Sequence, residues 1–253
     1  MDEEVSMNQA RTLALSILVI ATALQSARAD DALDTPAVRT LDSVAVNGIR
    51  HPQEFEYSDG ARLLERFDRL EPARRDGIRL AFYARPTHEG VDLGGLELEV
   101  VAGDVSWPVE LLNGGRVVLP SIPTQEVKNA KVIANVPEHA LSIIYKVDLV
   151  PPAEGALTLG DLRERAARAR EGWKAVYGKV AAITVPVFTC AEFEFTAPRA
   201  ITVMLSDHSR WSSKSAFKVQ VPLDLPGATS GAEIDFDRDS LVRIGGCKWK
   251  GRE

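Results

Sequence analysis

The chain has 253 residues, 30 basic and 36 acidic side chains, and a formal net charge of −6. That mild acidity argues against a nucleic-acid binder, which carries a basic face. The apolar share (45%) and charged share (26%) are those of an ordinary globular protein with a real core.

In chain order, a leader comes first. Leu13 to Leu24 reads LALSILVIATAL, uncharged, with Arg11 before it and Ser26-Ala27-Arg28-Ala29 after it. A basic residue, a short apolar run and an A-x-A site are the three parts of a secretory signal. The run is shorter than the about 20 residues a membrane helix needs. Residues 1–29 are therefore predicted to be a signal peptide cleaved after Ala29, placing the mature chain in the periplasm or outside the cell. The competing reading is an uncut N-terminal anchor. Asp2, Glu3 and Glu4 have the wrong sign for the start of such a leader, which favours Met7 as the initiator. No cysteine stands at the cleavage site, which excludes lipid attachment there. The leader holds two arginines and three acids, so the remaining 224 residues carry 28 basic and 33 acidic side chains, net −5. No later apolar run approaches membrane length.

Residues 30–58 carry little pattern. From Gly60, the residues Leu63, Leu64, Phe67 and Leu70 recur at helical spacing, with Asp59 as cap and Pro72 as stop. The period then changes to two. Ile78, Leu80, Phe82 and Ala84 alternate with Arg79, Tyr83 and Arg85, as in a half-buried strand. Further strands are predicted around Leu96–Val100, Val105–Leu111, Val117–Leu119, Lys131–Val136 and Leu141–Val150. Tight turns are expected at Ala102-Gly103-Asp104 and Asn113-Gly114-Gly115, where Asn and Gly accept positive φ. This series reads as a sandwich-like lobe.

Thr158 with Asp161 three residues on resembles a capping box. Leu159, Leu162, Ala166, Ala169, Trp173, Val176 and Val180 then recur at spacings of three and four, predicting a long amphipathic helix over 158–180 that ends near Gly178. Its other faces are rich in arginine. Such a face could meet anionic lipid, but a stripe of this kind more often docks on a sheet. Strands follow around Phe193–Phe195, Ile201–Leu205, Phe217–Leu223, Ile234–Phe236 and Leu241–Ile244. The expected organisation is a β-rich domain over 30–152 with a short helix near 60–70, then 153–253 as the long helix plus a smaller antiparallel β region. The fold class is β-rich α+β.

Cys190 and Cys247 are the two cysteines, and in an oxidising compartment an even count predicts one disulfide. They form no C-x-x-C, so a redox site is not expected. His51, His88, His139 and His208 stand far apart with no zinc-ligand spacing. Ser206-Asp207-His208-Ser209 holds the three residue types of a hydrolytic triad, but neighbours on one loop point apart and no G-x-S-x-G is present. Glu233, Asp235, Asp237 and Asp239 occupy every second position; on one strand they would share a face, making them a candidate calcium set. Trp211, among Ser209, Arg210, Ser212 and Ser213, reads as an exposed loop aromatic of the kind that stacks on sugars, whereas Trp107, Trp173 and Trp249 read as core. Gly245-Gly246 is expected to leave the C-terminal end loose.

No catalytic or cofactor-binding motif emerges. The expected function is a non-catalytic exported protein that binds an envelope protein or a small ligand, or supports the envelope, with neither nucleic acid nor membrane insertion in its mature form. The alternative is a secreted hydrolase with its site near Asp207 and His208.

Overall fold

The computed structural model of the chain describes residues 39–40, 49, 51–89 and 94–249. The leader lies outside them. The described residues form a β-rich α+β protein. In order, the elements are β1 (Arg39–Thr40), β2 (Pro52–Glu56), α1 (Tyr57–Asp68), α2 (Pro72–Arg75), β3 (Ile78–Pro86), β4 (Leu98–Ala102), β5 (Val105–Leu112), β6 (Arg116–Val118), β7 (Lys131–Pro137) and β8 (Leu141–Leu149). There follow β9 (Leu157–Thr158), α3 (Leu159–Ala181), β10 (Cys190–Arg199), β11 (Thr202–Met204), β12 (Arg210–Ser212), β13 (Ala216–Pro222), β14 (Glu233–Asp235) and β15 (Leu241–Cys247). One antiparallel sheet runs β13-β10-β15-β8-β3-β6-β5-β4-β7-β2, with β1 beside β5. A second sheet runs β12-β11-β14-β9.

Strands from both sides of Pro152 share the large sheet: β15, β10 and β13 extend it past β8. The loop at 151–155 is clamped rather than free, because the Arg238 guanidinium donates to the carbonyls of Pro152 (2.7 Å) and Gly155 (2.6 Å).

Local chemistry explains most elements, with three departures from the sequence reading. β2 falls in the stretch where no pattern was visible; it is five residues long and only half-buried, so alternation is weak. Helix α1 starts at Tyr57, before Asp59, so Asp59 is a first-turn residue and no side chain caps the helix. Strand β3 is buried on both faces rather than one: Tyr83 is 0% exposed and Ala81 is buried beside it. The predicted turns hold, with Gly103, Gly114 and Gly115 all at positive φ.

Helix α3 is the element on which the sheets are assembled. Its capping box is complete: Asp161 N–H donates to the Thr158 hydroxyl (3.1 Å), and the Asp161 carboxylate accepts from Thr158 N–H (3.0 Å). The next two N–H groups donate outside the helix, Leu159 to Ala232 O and Gly160 to Ser230 O. Since β9 pairs with β14 immediately before the helix, the second sheet fixes where α3 begins. Leu159, Leu162, Ala166, Ala169 and Val176 are buried. Each buried leucine contributes about 1.5–3 kcal/mol. Trp173 is half-buried: it packs against the edge of the core and stacks on exposed Tyr177 (5.1 Å between rings). At Gly172 the helix packs close to α1 and the sheet, where a Cβ would meet Phe67, Val147 and Ile78 at 3.0–3.3 Å. The helical run is interrupted at Gly178, whose ψ of 178° is not helical. The side chain of Val180 lies outside the described residues.

Cys190 and Cys247 are bonded, directly opposite one another on β10 and β15 with 4.9 Å between their Cα atoms. The glycine pair beside Cys247 is not loose. Gly245 and Gly246 lie within β15, where a Cβ on Gly246 would strike the Phe188 ring and one on Gly245 the Arg243 guanidinium. Glycine is needed there for close packing. Thr189 continues the join: its N–H donates to Cys247 O (2.9 Å), its hydroxyl accepts from Trp249 N–H (2.7 Å), and its carbonyl accepts from Leu223 N–H (3.0 Å). Replacing both cysteines with serine should lower stability by about 2–5 kcal/mol, read by denaturant unfolding. Faster hydrogen exchange at Thr189 and Leu223 should accompany the loss. Unchanged stability and exchange would show that the bridge constrains nothing.

Candidate functional site

The sequence-derived candidates are not brought together. Asp207 and His208 sit on the exposed β11–β12 turn. Asp207 Oδ1 accepts from both the N–H (3.0 Å) and the hydroxyl (2.6 Å) of Ser209, which hold its carboxyl below the usual range. The aspartate therefore orients a serine inside its own turn and makes no hydrogen bond to His208. Positive φ at His51, His139 and His208 makes these histidines turn residues, a role that His, Asn and Asp tolerate better than most.

The four alternating acids do not share a strand face. β14 ends at Asp235, and the chain then turns. Asp237 accepts from the N–H groups of Asp239 (3.1 Å) and Ser240 (3.3 Å) and pairs with Arg199 Nε at 2.5 Å. The hydrogen bond from Arg199, then that of Ser240, pulls its carboxyl down to about 2. Among the described residues no group of three or more acids, histidines or cysteines is placed to hold a metal. Trp211 is another correction: it lies on β12 opposite Val203, half-buried against the core.

Two features were not singled out from the sequence. The first is a polar layer on one face of the large sheet. In the β3–β8 register, Arg79, Tyr83 and Arg85 share a face with Lys146 and Asp148, while Ile78, Leu80 and Phe82 face the other way with Leu149, Val147 and Tyr145. β15 and β10 add Arg243 and Glu194 to the polar face. Asp148 is 1% exposed. Its carboxylate accepts from the Tyr83 hydroxyl and from Arg243 Nε (2.9 Å). Arg243 also faces Glu194 at 3.7 Å, and Glu194 pairs with Arg85 at 3.1 Å. Arg85 and Arg243 both stand over the Tyr83 ring, 5.2 and 5.8 Å from its centroid. Burial disfavours the Arg243 charge, but Asp148 outweighs it and its guanidinium is held more firmly protonated. Asp148, Tyr83, Arg243, Glu194 and Arg85 each have a partner, which is what a buried polar cluster requires to be tolerated. Arg79 reaches Asp148 only at 3.9 Å and keeps a buried Nε without a hydrogen bond among the described residues.

The second feature is a pair of cavities on either side of Phe188. The smaller, about 310 Å³, lies where β15 and β8 part, between Lys146, Arg243, Trp173, Tyr177 and Phe188. Burial, then Arg243 and Lys218, lower the Lys146 amine from its ordinary value. The larger is a groove of about 630 Å³ between α3 and the chain at 187–189 and 223–224. Ala166, Ala167, Phe188 and Leu223 give it an apolar lining, and Arg74, Arg163, Arg168 and Arg170 stand around it against only two acids, Glu171 and Asp224. Arg170 Nε, like the Nε atoms of Arg75 and Arg79, is buried and has no hydrogen-bond partner among the described residues. An orphaned buried donor is uncommon in a folded protein and calls for an explanation. The sequence places Arg163, Arg168 and Arg170 on the arginine-rich faces of the long helix and gives Arg74 no role. The wall opposite them comes from residues far along the chain, so no local pattern announces the groove.

Burial first, then the charge of Asp148 and the hydrogen bond to it, push the Tyr83 phenol above its ordinary 10.0, with Arg243 and Arg79 opposing. A group raised in this way supplies stability that is complete below its unfolded pKa and is lost as pH rises toward the folded one. Denaturant melts from about pH 8 upward should therefore show stability declining above about pH 10, and Tyr83→Phe should make that decline shallower. An unaltered alkaline slope in the variant would remove Tyr83 from the network.

No protein-family model, curated protein or solved structure matches the chain, so its function is argued from this geometry.

Proposed function

We propose that the chain is an exported, non-catalytic binding protein of the periplasm or the extracellular space, and that its ligand seat is the groove beside α3. The observation that carries the reading is the groove itself: the larger of the two cavities around Phe188, apolar in its floor and ringed by Arg74, Arg163, Arg168 and Arg170 against Glu171 and Asp224. Pockets of roughly 300–1,000 Å³ with an apolar lining and a few polar groups are the usual form of a small-molecule site. Export is supported by the leader pattern through Ala29 and by the Cys190–Cys247 bond, which an oxidising compartment preserves. Among the described residues no helix is long and apolar enough to cross a membrane.

The test is made in cells. The protein recovered from a Gram-negative host should begin at Asp30 and release with the periplasmic fraction. A photo-reactive residue at Val187, on the groove wall, should capture an adduct that the same residue at exposed Lys128 does not. An intact leader sedimenting with membranes would overturn export. Equal labelling at the two positions would overturn the groove as the seat.

A further inference from the structure

We propose that the groove beside α3 seats a single-chain anionic amphiphile, its carboxylate or phosphate head between Arg74 and Arg170 and its apolar chain along Ala166, Ala167, Phe188 and Leu223; this rests on reading the groove as the binding site. The arginines of α3 divide into two groups. Arg163 donates to Leu223 O (2.5 Å) and Ser230 (3.3 Å). Arg165 donates to Val150 O and faces Asp161. Arg168 meets Asp76 and Glu164. Arg170 makes neither an ion pair nor a side-chain hydrogen bond among the described residues, and the same holds for Arg74 on α2. Both line the groove, and both add to the pull on the Glu171 carboxyl after its main partner, Lys174. Glu171 is itself engaged by Lys174 at 2.6 Å, so its charge is shared and is not committed to Arg74 or Arg170.

The rest of the groove calls for apolar matter. Ala166 and Leu223 are nearly closed to solvent, and Val187 stands 63% exposed on the rim. From Arg170 back to Arg163 the helix rises about 10 Å, which gives the floor length as well as width. A purely apolar ligand would cover the guanidinium groups of Arg74 and Arg170 without meeting their charge, at a desolvation cost. A small hydrophilic anion would leave the apolar floor and Val187 bare. An acidic peptide fits less well, because it brings backbone donors and acceptors. The N–H, hydroxyl and carbonyl of Thr189, on the groove wall, are already taken by Cys247, Trp249 and Leu223. Charge and apolar surface are jointly satisfied by a head with a tail.

Calorimetric titration of the mature protein tests this with laurate below its micellar concentration. Dodecyltrimethylammonium serves as a cation of equal chain length, acetate as a head without a chain, and anionic phospholipid vesicles as a membrane source of the same chemistry. The expected result is one laurate per chain, much weaker binding of both the cation and acetate, and affinity reduced about tenfold or more by Arg170→Gln and by Arg74→Gln, as loss of a charge-assisted hydrogen bond implies. Both variants should keep the parental unfolding midpoint, since neither arginine has an ion pair or side-chain hydrogen bond to lose among the described residues; a structural arginine would shift it. The proposal is overturned if laurate binding is indifferent to both substitutions, if the cation or acetate binds as well, or if vesicles bind while monomeric laurate does not. If laurate fails to bind while Val187 still captures a polypeptide in cells, the amphiphile is wrong and the groove remains the seat. If both fail, the binding reading falls with it.

Discussion

A buried carboxylate holds the sheet together. Asp148 is almost wholly closed to solvent, and an ionised carboxylate in that position is tolerated only when its charge and lone pairs are met. Arg243 meets the charge and Tyr83 supplies a second donor. The position matters as much as the chemistry. β15 pairs with β8 at a single residue pair, Gly245 with Asp148, whereas β3 and β8 pair along nine. The weakest backbone seam in the sheet is thus the one crossed by the Asp148–Arg243 ion pair. Extending the network through Glu194 to Arg85 ties four strands, β10, β15, β8 and β3, across that seam.

What lies beyond the seam depends on it. β15 carries Cys247, which is bonded to Cys190 on β10, and Thr189 is pinned between Cys247 and Leu223. Phe188 lies on the backbone of Gly246, where any side chain would displace it. One wall of the groove is fixed in this way. The other is α3, set by its capping box and β9 at one end and by close contact at Gly172 further along. A site between two independently anchored walls can keep an unsatisfied guanidinium poised, because neither wall is free to move and satisfy it.

The chain declares its local devices openly. Thr158 and Asp161 are a capping box in sequence and in space; Asn113-Gly114-Gly115 turns where its φ tolerance says it should; the cysteine count leads to one bond. These are short-range or combinatorial facts. Asp148 stands in an alternating strand and reads like any solvent-facing acid, because a period of two distinguishes the two faces without saying that both are buried. Tyr83 is misread for the same reason. The continuity of the sheet past Pro152 rests on a contact between residues 148 and 243, which no pattern encodes. Gly245 and Gly246 read as slack when they are clearance for Arg243 and Phe188. Arg170 reads as one more arginine on the basic faces of the long helix until the chain around Phe188 and Leu223 folds beside it.

The direct test is a double-mutant cycle across the seam, with Asp148→Asn, Arg243→Gln and the pair, each followed by denaturant unfolding. Removing one partner of a buried ion pair costs about 3–5 kcal/mol. Each single change should cost that much, and the double change little more than either alone, leaving a coupling of about 2 kcal/mol or more within the range seen for residues in one network. Costs that add to within about 0.5 kcal/mol would mean that the two side chains act independently, and that the sheet is not held at Asp148.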